Sequence, residues 1–169
     1  MANKDDQPYR HTTKKPWSTP LDDTMFTVDG ADGVALKAVK DKWCRLGPLN
    51  LEDIIANSTI PVQSDLPFGR SRYDSHIEGQ MNSKGRITGV GKEINNIIYE
   101  GQLRDDVYHG FGRYIYSNGN YYIGNWADGK RCGKGKLVDT SGKVYDGMWK
   151  NSTFLGSWTE KKLCKNSWN

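Results

Sequence analysis

Glycine recurs in this chain on a fixed period of 23 residues. Gly101, Gly124 and Gly147 form one column and Gly110, Gly133 and Gly156 another, while Gly112 to Gly135 and Gly119 to Gly142 repeat the same step. Tyr99, Tyr122 and Tyr145 stand two places before the first column; Leu103, Trp126 and Trp149 stand two places after it. A period between about 20 and 50 residues is the signature of stacked units, none of which can bury its apolar face alone. A weaker copy precedes these: Ile77, Gly79, Met81, Gly89 and Gly91 match the same columns with small insertions and gaps. The last copy decays, with Trp158 standing where Gly112 and Gly135 stood. Atypical end units are what a stack requires, because each end must close against solvent.

Each unit reads as a β-hairpin. In Tyr122-Ile-Gly-Asn-Trp126 the residues alternate, placing Tyr122, Gly124 and Trp126 on one face and Ile123 and Asn125 on the other. Ala127-Asp128-Gly129-Lys130 carries the Asp-Gly signal of a tight hairpin turn, and a second strand runs from about Gly133 to Val138. Asn118-Gly119 and Ser141-Gly142 turn the chain again. Glycine inside a strand ordinarily weakens it. Its recurrence here predicts that an aromatic from a neighbouring strand lies across the bare backbone. About eight strands in one sheet would extend roughly 35–40 Å.

These residues resemble a known family. Tyr99-Glu-Gly-Gln-Leu103 with Tyr108-His-Gly-Phe-Gly112, Tyr122-Ile-Gly-Asn-Trp126 with Gly133-Lys-Gly135, and the opening Tyr145-Asp-Gly-Met-Trp149 resemble MORN repeats, about four of them over residues 76–158. Cys132 and Leu155 replace the histidine seen at His109. The resemblance implies a mainly β fold: an elongated, twisted antiparallel sheet of stacked hairpins, with an assembly or scaffolding role. The structural glycines are then Gly79, Gly101, Gly110, Gly112, Gly124, Gly133, Gly135, Gly147 and Gly156, and Tyr99, Tyr122, Trp126, Tyr145 and Trp149 form an aromatic face.

The N-terminal part differs. Residues 1–31 read as an extended polar arm broken by Pro8, Pro16 and Pro20. In the segment 32–75, Leu36, Val39, Trp43 and Leu46 recur at helical spacing, with Asp32 as a cap and Gly47-Pro48 as a stop. This face either packs on the protein's own sheet or docks into a partner. Asn50 followed by Asp53 predicts a second short helix through Ile54 and Ile55, and residues 62–75 read as a linker. Residues 159–169 form a basic tail with Lys161, Lys162 and Lys165.

Few features suggest chemistry. Three scattered cysteines, Cys44, Cys132 and Cys164, make neither a disulfide framework nor a zinc pattern. His11, His76 and His109 lie in unrelated settings, so no metal, cofactor or catalytic residue is expected. Gly124-Asn-Trp-Ala-Asp-Gly129-Lys130-Arg131 approximates a phosphate loop, but Arg131 replaces the magnesium-binding hydroxyl and no helix follows. The N-terminus lacks the apolar stretch of a secretory signal, which predicts an intracellular, non-secreted protein; the sequons at Asn57 and Asn151 would then be silent. No apolar run is long enough to span a membrane.

Charge is uneven. The chain carries 24 Lys or Arg and 20 Asp or Glu, too small an excess to imply nucleic acid as a partner. Residues 113–169 hold 10 of the basic and 4 of the acidic residues. Lys130, Arg131, Lys134 and Lys136 cluster in one hairpin, as a solvated face or as a contact for acidic phospholipid. The leading reading is a non-catalytic structural subunit that binds proteins of a larger assembly, ciliary, axonemal or otherwise cytoskeletal by resemblance, with a mitochondrial membrane complex as second location. A peripheral adaptor on acidic phospholipid is the alternative, and a small enzyme or an enzyme's regulatory module a third.

Overall fold

The computed structural model describes residues 33–61, 66–72 and 76–157. The arm 1–31, the cap residue Asp32, the tail 159–169 and the side chain of Leu36 lie outside the described residues.

Helix α1 (Gly33–Leu46) ends as its sequence predicts: Gly47 adopts φ +70° and donates its N–H to the carbonyl of Trp43 at 2.9 Å. Helix α2 (Leu51–Asn57) opens on Asn50, whose side chain accepts from the Asp53 N–H at 2.7 Å. Nine strands follow in one open antiparallel sheet, each beside its sequence neighbours: β1 Phe68–Arg70, β2 Ile77–Met81, β3 Ile87–Ile94, β4 Ile98–Arg104, β5 Val107–Ile115, β6 Tyr121–Ala127, β7 Lys130–Val138, β8 Val144–Lys150 and β9 Thr153–Ser157. The fold is mainly β, with two short helices N-terminal to the sheet.

The stretch 62–75, read as a linker, contributes strand β1 to the sheet. Three residues with only one glycine carry no period, so this strand leaves no trace in the pattern. Its place is set by Gly69 pairing with Gly79.

Register converts the glycine period into geometry. Gly69, Gly79, Gly91, Gly101, Gly112, Gly124, Gly135 and Gly147 pair in succession from β1 to β8, and Ser157 closes the row on β9. A single row of glycines therefore crosses eight strands. Hairpins within a unit close through Asp105-Asp106, Asp128-Gly129 and Asn151-Ser152, all with positive φ between 47° and 75°. That is the sense of turn that matches strand twist, at residues that tolerate it. The second residue of each turn donates its N–H to the preceding hairpin: Asp106 to Ile87, Gly129 to Tyr108 and Ser152 to Arg131, at 2.9–3.0 Å. The turns thus stack as a ladder along one rim.

Both helices lie on one side of the sheet. Val39, fully buried, packs with Ile94, Ile98 and Ile115, flanked by Trp43, Leu46 and Tyr121. Leu49 and Ile54 pack with Val90 and Phe111, and Ile123 lies at their margin. The helical face formed by Val39, Trp43 and Leu46 therefore covers the protein's own sheet.

A buried ion pair fixes this docking. Arg113 Nη2 reaches Glu100 Oε2 and the carbonyl of Gly47, both at 2.5 Å, and Trp43 Nε1 donates to Glu100 Oε1 at 3.0 Å. Gln102 does similar work next to α2. Its side-chain oxygen accepts from the Phe111 N–H at 2.9 Å and from the Ser58 hydroxyl, in the β-bulge between Gly101 and Leu103. Gly110, with φ +74°, is the middle one of the three β5 residues that stand opposite Gln102 there, a conformation that favours glycine.

Candidate functional site

The opposite side of the sheet is aromatic. Tyr99 and Tyr122 lie flat across the glycine row, fully buried. The hydroxyl of Tyr99 donates to the carbonyl of Gln102 at 2.6 Å, and that of Tyr122 to Asn125 at 3.1 Å. A Cβ added to Gly112 would stand 2.7 Å from Cζ of Tyr99, and one on Gly135 would strike the Tyr122 ring. This is the neighbouring-strand aromatic expected over the glycines. At Gly101 and Gly124 the arrangement differs from that expectation. There the nearest atoms are the paired backbones of Phe111-Gly112 and Lys134-Gly135, and the aromatic is the strand's own tyrosine. At Gly147 the nearest atoms are the backbones of Gly156 and Ser157.

Each tryptophan ties its unit to the one before. Trp126 Nε1 donates to the Gly112 carbonyl at 3.2 Å and Trp149 Nε1 to Gly135 at 2.9 Å. Leu103 and Met81 fill the corresponding places in the earlier units, where no indole is available, and Ile77 takes the place of the tyrosine.

Around this base the rings form a continuous series. Tyr99 stacks on Tyr108 with centroids 4.0 Å apart; Trp126 meets Tyr99, Tyr108, Tyr114 and Tyr122 at 5.2–5.8 Å. Tyr114 contacts Tyr116 at 4.5 Å. Tyr122 leads to Trp149, Trp149 to Phe154, and Phe154 to Tyr145, at 5.1–5.8 Å. Tyr145 thus joins the face through Phe154. Tyr108, Tyr114, Tyr116, Leu137, Tyr145 and Phe154 are only partly buried. They present a platform of flat rings to whatever lies outside.

Its polar groups are few and placed. The Tyr108 hydroxyl donates to Glu93 Oε2 at 2.5 Å. Burial, reinforced by the Glu93 carboxylate, holds that phenol protonated far above its ordinary range. Burial also pushes Tyr114 up to about 12, with smaller pushes from Tyr116 and Glu93. The Arg131 guanidinium sits over Trp149 at 4.5 Å and Tyr122 at 5.7 Å, and Lys143 sits over Tyr145 at 4.8 Å.

The basic hairpin does not form one patch. Arg131 stands on the aromatic side, while Lys136 pairs with Asp146 at 3.2 Å on the other side, as strand alternation requires. Lys130 is exposed beside the Asp128-Gly129 turn, and Lys134 is exposed on the Lys136 side. Lys161, Lys162 and Lys165 lie outside the described residues.

His109 accepts weakly from the Asp128 N–H at 3.5 Å, and burial is the main cause that lowers its pKa. It sits within strand β5, beside the Asp128-Gly129 turn. Among the described residues no group of three or more His, Cys, Asp or Glu could hold a metal. None of their helices is long and apolar enough to cross a membrane.

Gln102, Glu100 and Arg113 carry much of the polar structure, and sequence reasoning missed them. Each has its meaning only through a partner in another segment, so no local pattern marks it. Tyr108 and Tyr114 recur in no other unit, and therefore escaped the columns as well.

Comparison with known families agrees with this geometry. The model of the MORN repeat matches residues 99–121 and 122–144, the two units in which tyrosine lies across paired glycines. No curated protein matches the chain.

Proposed function

We propose that this chain, a MORN-repeat protein across residues 99–144, is a non-catalytic scaffold subunit that binds partner proteins through the aromatic side of its sheet. The observation that carries this reading is the unbroken series of rings from β4 to β9, whose outer members stay partly exposed. Among the described residues, both helices pack on the other side. Tyrosine and tryptophan are the residues that dominate protein interfaces, since they bury large area with few rotatable bonds to immobilise. Beneath the outer rings Tyr99 and Trp126 are fixed by carbonyl hydrogen bonds, and Tyr108 by Glu93, so a partner meets rings set on a preorganised base. Glu93, Arg131 and Lys143 at its margins would set orientation.

The assembly is ciliary, axonemal or otherwise cytoskeletal in this reading, and a mitochondrial membrane complex is the second location. Both rest on the family resemblance. Tagging the protein and identifying what co-purifies at low and high salt tests the mode of binding. Retention at high salt is expected of an apolar ring surface, whereas release by salt would indicate charge pairing instead.

Binding of acidic phospholipid is the weaker reading, because Lys130, Arg131, Lys134 and Lys136 are divided between the two sides of the sheet. Equal sedimentation with neutral and anionic liposomes is the result expected here. Selective, salt-sensitive binding to anionic liposomes that disappears on neutralising those four residues would reverse the order.

A further inference from the structure

One row of the aromatic side carries a charge where its pattern calls for an apolar residue. Register aligns Ile77, Glu93, Tyr99, Tyr114, Tyr122 and Leu137 on successive strands from β2 to β7. Glu93 stands two residues beyond Gly91, the place that Tyr114 and Leu137 hold beyond Gly112 and Gly135. It is half-buried. Its carboxylate accepts from Asn95 Nδ2 at 2.7 Å and from the Tyr108 hydroxyl at 2.5 Å, both neutral donors. Among the described residues no lysine or arginine pairs with it. A charge drawn partly out of water gains most from an opposite charge brought to it. The rings beside it suit a cation. Tyr108 and Tyr114 have centroids 5.7 Å apart and planes inclined at 67°, so the two rings form a corner. The face of a tyrosine ring attracts an ammonium within about 6 Å of its centre. At the far end of the platform the protein fills such positions itself, with Arg131 over Tyr122 and Trp149 and Lys143 over Tyr145. Among the described residues no lysine or arginine stands over Tyr108 or Tyr114.

We propose that Glu93, with the rings of Tyr108 and Tyr114, receives a lysine ammonium of the partner protein, an inference that rests on the reading of the aromatic side as a protein interface. The charge of the surface carries it: an anion among uncovered rings at the β3 end, and rings already covered by cations at the β7–β8 end. Lysine rather than arginine follows from how the carboxylate is engaged. Oε1 already accepts from Asn95 and Oε2 from Tyr108. A guanidinium fork takes both oxygens of a carboxylate at once, whereas an ammonium is a compact point charge that needs one remaining lone pair. Arg131 and Lys143 repel a basic residue at the other end, so the partner lies with its lysine towards β3.

The test treats the assembly recovered with the tagged full chain from its native cells with a carbodiimide, which joins a carboxylate to an amine in contact with it. Mass spectrometry then maps the products. One joining Glu93 to a lysine of a partner protein is expected. Glu93→Gln keeps an acceptor for the Tyr108 hydroxyl, and should lower recovery of that partner about fivefold, the effect of one partly exposed charge pair. Glu93 products with lysines of this chain alone, no Glu93 product at all, or undiminished recovery with Glu93→Gln would each overturn the proposal. In those cases, loss of the partner in a Tyr114→Ser, Tyr116→Ser variant would leave the protein-interface reading standing. A wild-type chain that recovers no partner would overturn both.

Discussion

Trp126 donates its indole N–H to the main-chain carbonyl of Gly112, 3.2 Å away on the neighbouring strand and 14 residues back in sequence. The bond requires the glycine. A side chain at 112 would occupy the space of the Tyr99 ring that lies between the units. Trp149 repeats the relationship with Gly135. Tyrosine, glycine pair and indole are thus one device, and stacked copies of it build the core of that side together with Ile77, Met81, Ile87, Ile97 and Leu103.

The device predicts how glycine substitutions behave. A Cβ at Gly124 would lie 2.5 Å from the Lys134 carbonyl oxygen and 2.6 Å from the Tyr122 hydroxyl, and the backbone partner cannot retreat without losing its ladder bonds. Gly124→Val should cost about 3 kcal/mol or more, at or beyond the usual overpacking range. In a chain of this size that lowers Tm by roughly 6–12 °C. Ile123→Val, one residue away on the helix side, should cost only about 0.5–1.5 kcal/mol. Thermal melts of the full chain followed by near-UV circular dichroism check both. An unchanged Tm for the Gly124 variant would remove the packing argument.

The Glu100–Arg113 pair makes a second prediction. Both side chains are 6% exposed, and between them they hold Trp43 and the end of α1. Arg113→Met leaves a buried carboxylate unpaired and should cost about 3–5 kcal/mol. Adding Glu100→Leu should recover part of that loss, since replacing a whole buried pair costs less than halving it. Denaturant unfolding of the single and double variants measures the difference. If the double variant were less stable than Arg113→Met alone, the pair would not be acting as described.

Alkaline titration reads the aromatic side directly. Tyr114 ionises in the folded protein near 12 rather than 10, and Tyr99 and Tyr108 higher still, chiefly because burial disfavours the phenolate. The native state therefore holds more protons than the unfolded chain above pH 10. The stability these tyrosines confer is complete below that pH and falls as pH rises through 10 towards 12. Absorbance at the tyrosinate band follows the ionisation of the tyrosines. The buried ones should appear only with cooperative unfolding. Simple ionisation of all nine tyrosines near pH 10 with the fold intact would contradict this.

How much of this was legible depends on where the signal resides. Tyr122, Gly124 and Trp126 could be placed on one face because the array imposes the same contacts in each unit, so the requirement repeats visibly in the chain. The Asp128-Gly129 turn was readable for a local reason, the positive φ that these residues adopt at little cost. The equivalent Asp105-Asp106 turn was not, because nothing in two aspartates announces it. Strand β1 and Gly69 were missed because three residues hold no period. Gln102 was invisible because its bonds to Phe111, Ser58 and Ile60 join segments up to 44 residues apart. The basic hairpin was misleading for the opposite reason. Adjacent lysines and arginines look like one patch until alternation sends Arg131 to the rings and Lys136 to Asp146.

The central claim is that the outer tyrosines hold this protein in an assembly. Gel filtration of native lysate, comparing the wild-type chain with a Tyr114→Ser, Tyr116→Ser variant, tests it most directly. Both side chains are half-buried and packed on the outside of the buried cluster, so the variant should keep its fold, as a separate melt of the purified protein verifies. The wild type is predicted to elute in a high-mass complex and the variant as a free monomer. A wild-type protein that elutes as a monomer, or a folded variant that remains in the complex, would contradict the account.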